Sequence, residues 1–389
     1  MKRVAVVGVG STEIRSTTPD VSFKEMMFEA ATKAYEDAGV DPRRDVDSFI
    51  AASEDYWEGY SIFDEFIPDQ IGGVLKSVCT VTDGLFALIT AYMQICTGLF
   101  DIVVVEAHSK ASDILTFEGI VAFALDPIYH RPLGGHPFYI AGLEMTRYLA
   151  ETDTSLEECA MVVSKNKRNA LDNPYAAFGA DISTEDVLDS KTMFYPLKNL
   201  EISPLADASI VMVLASEEIA QQLTDLPIWI KGVGWCSDTI QLESREWGRA
   251  IYAEKSARMA YRMAGIVEPQ EQIDFAEIDD KFSYKELQHM EALGLCERGA
   301  AGMLVKEGVT QRDGSLPVNP SGGSIGCGNL LEGDGLKKAM EVVLQLRGDA
   351  GKRQILDSRT GIAQIWRGIP TATGAVVVFD NEIGREDYD

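Results

Sequence analysis

The chain has 389 residues, with 61 Asp+Glu against 35 Lys+Arg, a formal net charge of −26 and 46% hydrophobic residues. That length holds two or three domain-sized cores. The acidity excludes general nucleic-acid binding and docking on anionic lipid, both of which need clustered Lys and Arg, so any anionic cofactor must find its cations gathered locally.

The opening run VAVVGVG, behind Met1-Lys2-Arg3, is too short for a secretory segment and predicts a buried strand ending in a Gly turn. No apolar stretch approaches the roughly 18–20 residues of a membrane-spanning helix. Six widely spaced cysteines without a CxxC pair then point to a cytoplasmic chain with reduced thiols. The four histidines show no HxxxH or HxH spacing, so no metal is expected in this chain.

After the first strand, KEMMFEAATKAYEDAGV predicts a helix closed by a C-terminal Gly, followed by a short acidic loop and the strand of DVDSFIAAS. TDGLFALITAYMQICTG predicts a helix starting at an Asp-Gly pair, and FDIVVVEAHS a further apolar strand. Residues 115–225 carry more loop signals, including DPIYHRPLGGHPF and DNPYAAFGAD, around the helix YIAGLEMTRYLAETD. Such an insertion is where substrate or cofactor contacts commonly sit.

The grammar then repeats. WIKGVGW reads as a strand, EKSARMAYRMAGI as a helix ending at Gly, and VEPQEQIDFAEIDD as loop and strand. Ala34, Tyr35, Ala38 and Gly39 fall in register with Ala260, Tyr261, Ala264 and Gly265. GDGLKKAMEVVLQLRG answers the earlier Asp-Gly helix, and TATGAVVVFDN closes the second half. Two matched segments in one order indicate a duplicated α/β half. The expected units are 1–114 plus 190–225, an inserted loop domain over 115–189, and 226–389.

Several of these words together resemble the thiolase superfamily, in particular its sterol-carrier-protein branch. They are AYEDAGVDPRRDVDSF, DGLFALITAYMQICTGLFDIVVVEAHSKASD, SPLADASIVMVLASEE, AYRMAGIVEPQEQIDFAEIDDKFSYKELQHMEALGLCERG and NPSGGSIGCGN. The resemblance implies a duplicated thiolase fold, an α-β-α-β-α five-layer sandwich with an inserted loop domain. It implies coenzyme A as a substrate and at least a homodimer, associated with a small zinc-ribbon/OB-fold subunit. GGSIGCGN, FALDPIY and RGIPTATGAVVV look like the benzoylsuccinyl-CoA thiolase group. The activity implied is CoA-dependent cleavage of a bulky 3-oxoacyl-CoA. The alternatives are a retro-aldolase of the same fold, acting on a 3-hydroxyacyl-CoA, and a non-catalytic acyl-CoA or lipid carrier.

The family's reactive positions have changed in this sequence. Its nucleophilic cysteine, at the start of the helix led by Thr82-Asp83-Gly84, aligns with Val81. Cys79 lies two residues earlier, on the same face of the approaching strand, and is either a shifted thiol or a small buried hydrophobe. The HDCF motif reads Asp279-Asp280-Lys281-Phe282, the GHP histidine is Asn329, and the second cysteine position falls near Ile369.

The replacements retain chemistry. Asp279 or its neighbour is a candidate base, with strand alternation sending the two carboxylates to opposite faces and Lys281 pairing with one of them. Cys327, in the Gly-rich loop, is a candidate nucleophile or proton carrier, or else a packing thiol. Asn329 can donate a hydrogen bond to a thioester or ketone oxygen without titrating. Tyr129 and His130 are candidate substrate contacts from the insertion, and Arg367 a candidate carboxylate clamp. His136 is as much a cap or packing residue as a ligand. Ser164-Lys165-Asn166-Lys167-Arg168 concentrates positive charge, either as a solvated helix face or to meet CoA phosphates or an acidic partner.

Overall fold

The computed structural model describes residues 2–54, 63–369 and 372–382. Pro370 and Thr371, in the last of the changed motifs, lie outside them. The strands are β1 (Val4–Ser11), β2 (Ser48–Ala52), β3 (Ser77–Val81), β4 (Ile102–Lys110), the small ribbon β5 (Thr192–Phe194) and β6 (Leu197–Lys198), and β7 (Asp207–Ser216). They continue with β8 (Ile228–Ser237), β9 (Phe275–Glu277), β10 (Thr360–Arg367) and β11 (Thr373–Asp380).

The first helices are α1 (Phe23–Ala38), α2 (Pro68–Ile71), α3 (Gly84–Cys96), α4 (Phe117–Phe123), α5 (Tyr139–Thr152), α6 (Leu156–Ala170) and α7 (Thr184–Asp189). The remainder are α8 (Glu217–Leu223), α9 (Ile251–Ala264), α10 (Pro269–Gln272), α11 (Ser283–Ala292), α12 (Ala301–Lys306), α13 (Gly323–Cys327) and α14 (Asp334–Arg347). No described helix is long and apolar enough to cross a membrane.

All strands except the β5–β6 ribbon join one sheet in the order β3-β2-β4-β7-β1-β8-β11-β10-β9. The order is a mirror about the antiparallel β1–β8 contact. On one side β1, β7, β4 and β2 follow in turn, and on the other β8, β11, β10 and β9. The pairings match: β2–β4 and β9–β10 are parallel, while β4–β7, β10–β11, β1–β7 and β8–β11 are antiparallel. The repeat is therefore a duplication of structure. In this order β4 corresponds to β10, and the partner of the last strand β11 is β7, beyond the insertion.

Why the aligned positions are Ala and Gly follows from packing. A Cβ on Gly8 of β1 would stand 2.6 Å from the Ala34 carbonyl oxygen of α1, and one on Gly232 of β8 would strike the Ala260 carbonyl oxygen of α9. Small residues let each helix lie directly on its strand. Both helices end at a left-handed Gly, Gly39 with φ 67° and Gly265 with φ 72°.

Strand alternation produces the layers. Val103 and Val105 of β4 face the central helices α3 and α14, while Val104 faces α1. Val377 of β11 faces the same central layer, and Val376 and Val378 face α9 and α11. The result is outer helices, one half of the sheet, central helices, the other half of the sheet, outer helices. α3, apolar almost all round, suits burial on both sides.

The central helices meet at their N-termini. A Cβ on Gly84 would come within 2.6 Å of Leu336 Cβ, and one on Gly335 would run into Asp83 and the Leu85 amide. Ala at position 84 gains roughly 0.5–1 kcal/mol of helix propensity over Gly. Overpacking a closed contact costs typically about 1–3 kcal/mol, which is the larger effect. Gly84→Ala should therefore lower the urea midpoint of unfolding by a net loss of about 1–2 kcal/mol; an unchanged midpoint would contradict this close approach.

Candidate active site

A cavity of about 690 Å³ opens over the N-terminal end of α3. Its floor and walls come from Thr82 and Asp83, from Ser203 and its neighbours, from Lys281 and Phe282, and from Asn329. Arg367 to Ile369 at the end of β10 close one side. The insertion supplies Phe117, Glu118, His136 and Phe138, and Phe194 of β5 follows it.

Segment 202–206 ties the central residues together. It bridges to Phe282 through Ile202 and to Asn329 through Leu205. The Ser203 amide donates to the Lys281 carbonyl at 2.9 Å, and the Asn329 amide at Nδ2 donates to Ser203 Oγ at 3.3 Å. Asn329 Oδ1 accepts from the Leu331 amide at 2.9 Å. That bond fixes the side chain with its NH₂ as the donor available to a ligand.

Lys281 reaches the cavity with its ammonium held by Asp279 Oδ2 at 3.2 Å and the Trp366 carbonyl at 2.8 Å. Burial alone would lower its pKa, but Asp279, Asp334 and Asp83 outweigh it and keep the group cationic. Asp83 is the N-cap of α3: its Oδ1 accepts from the Leu85 amide at 2.8 Å. Burial pushes its carboxyl up to about 7, against the opposing pull of Lys281 and the Leu85 amide. A carboxyl at that value can take and return a proton near neutral pH.

On the mouth side, His136 Nδ1 accepts from the Phe138 amide at 3.1 Å, which leaves Nε2 toward Glu118 at 3.3 Å. Its ring stacks on Phe194 at 4.9 Å. Phe138 stands edge-on to Phe282 at 5.3 Å, so one wall of the cavity is aromatic. Arg367 is ion-paired with Glu54.

Of the residues singled out in the sequence, Asn329 and Arg367 line this cavity, and Cys79, Asp279, Cys327, Tyr129 and His130 are not among its lining. Cys79 and Val81 do share a face of β3, but that face packs into the central hydrophobic layer. The Cys79 thiol contacts Gln94 Nε2 at 3.7 Å, and burial raises its pKa. Cys327 is buried, donates to the Ser321 carbonyl at 3.2 Å, and is pushed up to about 12 by burial. A thiol in that state is a poor nucleophile. All six cysteines are free and none lines the cavity.

The two aspartates lie just beyond the end of β9 and point apart. Asp279 accepts from the Trp366 amide and positions Lys281. Asp280 accepts from the amides of Ser324 at 2.6 Å and Ile325 at 3.1 Å, with Lys338 at 3.5 Å, and anchors α13. Neither carboxylate faces the cavity, so the group presented there is Lys281. Tyr129 is exposed and His130 is turned to Glu243 at 2.9 Å, both away from the lining.

Asp83 and Ser203 were not singled out by their sequence context. An Asp-Gly before a helix reads as a cap, and its burial depends on the distant α14. Among the described residues no group of three or more His, Cys, Asp or Glu side chains could hold a metal ion.

Asp83 carries a sign for stability. A folded-state value of about 7 above the reference of 3.8 means the folded chain binds this proton more tightly, so the Asp83 contribution falls as pH rises from about 4 to about 7. Asp83→Asn retains the cap but cannot ionise. Chemical denaturation at pH 5 and pH 8 should show the variant gaining roughly 1 kcal/mol or more relative to the wild type at the higher pH. Parallel pH dependences would contradict the assignment.

A family model described as "Thiolase C-terminal domain-like" matches residues 235–381. An acetyl-CoA acetyltransferase of Methanothermobacter thermautotrophicus is 33% identical over 388 residues, covering 97% of this chain and 100% of that protein. The benzoylsuccinyl-CoA thiolase subunit BbsB of Thauera aromatica is 30% identical over 210 residues, 54% of each chain. The solved structure titled "Ltp2-ChsH2(DUF35) aldolase" superposes with a TM-score of 0.84 at 23% identity, covering 98% of this chain and 99% of that one.

Proposed function

Because the chain belongs to the thiolase family of CoA-dependent acyltransferases, we propose that it cleaves the C2–C3 bond of a bulky 3-oxoacyl-CoA, such as benzoylsuccinyl-CoA, and transfers the acyl group to free CoA. The observation that carries this reading is one cavity lined by a hydrogen-bond donor, a cation, a carboxyl group of near-neutral pKa and an aromatic wall.

The chemistry needs each of them. A CoA thiol gives its proton to a base, for which Asp83 is suited, and its sulfur adds to C3. The C2–C3 bond then breaks, and its electron pair passes to the thioester as an enolate. Asn329 Nδ2 and the Lys281 ammonium are the donors for the enolate oxygen, and the proton returns to C2. Asp279 acts through Lys281 as a positioning residue. Phe138, Phe194 and Phe282 offer the surface for a large acyl group. The BbsB relative is itself named as a subunit, which supports reading this chain as the thiolase subunit of a two-subunit enzyme.

A second reading is favoured by one observation, the absence of cysteine from the cavity lining. Retro-aldol cleavage of a 3-hydroxyacyl-CoA needs a base for the hydroxyl and donors for the enolate, but no acyl acceptor. Incubation with a 3-oxoacyl-CoA and with its 3-hydroxy counterpart, each with and without free CoA, separates the two. Cleavage of the 3-oxo compound only when free CoA is present is the expected result. Cleavage of the 3-hydroxy compound without free CoA would transfer the site to the aldolase reading, and binding without turnover of either would overturn both. Asn329→Ala should lower kcat by about 10²–10³-fold with a smaller change in KM.

A further inference from the structure

The positively charged stretch Ser164–Arg168 divides in the folded chain. Lys165 is buried, with its ammonium 2.6 Å from Glu286 Oε1 and 2.8 Å from the Val318 carbonyl. Arg168 pairs at the surface with Asp181 at 3.2 Å. Lys167 does neither. It leaves α6 toward the cavity and lines it.

There, among the described residues, its ammonium donates to the carbonyls of Phe178 at 3.3 Å and Ile325 at 3.4 Å. Both lie beyond the usual N–H···O range of about 2.7–3.2 Å. Among the described residues no carboxylate lies within ion-pair distance of it, whereas the other two cations of the lining are engaged, Lys281 by Asp279 and Arg367 by Glu54. Burial lowers the Lys167 pKa, as expected for an ammonium that has lost water without gaining an anion. The same lining includes the apolar Phe178, Leu200 and Ile202.

A compact single ammonium in such a wall matches one carboxylate, whereas a diphosphate calls for several cations. Four carboxyl groups share the lining: Glu54 is paired with Arg367, Glu118 faces His136, burial holds Asp83 protonated up to about pH 7, and Glu332 stands beside Leu331.

We propose that Lys167 sets the substrate class of the cavity by receiving a carboxylate carried on the acyl chain, remote from the thioester. This rests on the reading of the cavity as an acyl-CoA site. It gives to Lys167 the task for which Arg367 stands out in the sequence.

Succinyl-CoA and butyryl-CoA share a four-carbon acyl chain and differ in the terminal carboxylate, so calorimetric titration of the full chain with each isolates that group without turnover. The wild type should bind succinyl-CoA about tenfold more tightly than butyryl-CoA. Lys167→Met, checked for an unchanged melting temperature, should bring the ratio close to one, and Lys167→Arg should retain most of it. A wild type without preference, or a Lys167→Met variant that keeps it, overturns the proposal. Equal weakening of both ligands also overturns it, because the ammonium would then serve the CoA phosphates. Failure of the wild type to bind either acyl-CoA would instead overturn the acyl-CoA reading of the cavity.

Discussion

The site depends on two helix N-termini brought face to face. α3 and α14 form the central layer, and their first turns touch through Gly84 and Gly335, where neither position leaves space for a Cβ. Two positive helix ends in a dry interior repel each other and leave amide groups without partners. An aspartate stands at each: Asp83 caps α3 by accepting from the Leu85 amide, and Asp334, the first residue of α14, accepts from the Leu330 amide of the preceding loop at 2.9 Å. Their environments then separate the two. Burial acts to raise both, but Lys337, Lys281 and Lys338 hold Asp334 well below the usual carboxylate range, while Asp83 rises to about 7. Of two aspartates at matching helix starts, one remains an anion and the other titrates near neutrality.

That division is how a strongly acidic chain can hold a reactive centre without one of its cysteines in the lining. Lys281 is fixed by Asp279 on one side of the cavity, Asn329 is oriented by the Leu331 amide, and Ser203 joins the two segments. The duplication supplies the framework for this, with the two halves meeting at β1–β8 and both Asp-Gly helices directed inward. The insertion brings the aromatic wall and the His136–Glu118 pair to the opposite side.

Much of the framework was legible in the sequence because it rests on local rules. The VGVG and KGVGW strands, the Ala34/Ala260 register and the Gly39 and Gly265 caps all state how closely a helix must approach a strand. Asn329 and Arg367 were legible because the motif around each is short and local. The places of Cys79 and Cys327 were not. Strand periodicity puts Cys79 on the Val81 face correctly, but only the packing of α3 shows that this face enters the core. The Asp279 and Asp280 side chains diverge, though beyond the end of β9, and which group meets the cavity is decided by β10 and α13, more than 40 residues away in the sequence. The pKa of Asp83 likewise depends on α14, some 250 residues later.

The central claim is that the polar groups of this cavity, and not a protein thiol, carry the bond cleavage. Intact-protein mass spectrometry of the enzyme, acid-quenched during turnover of a 3-oxoacyl-CoA, tests it most directly. The mass of the unmodified chain is expected at every time point. An acyl adduct that forms and decays at the rate of turnover, mapped to any of the six cysteines, would contradict it.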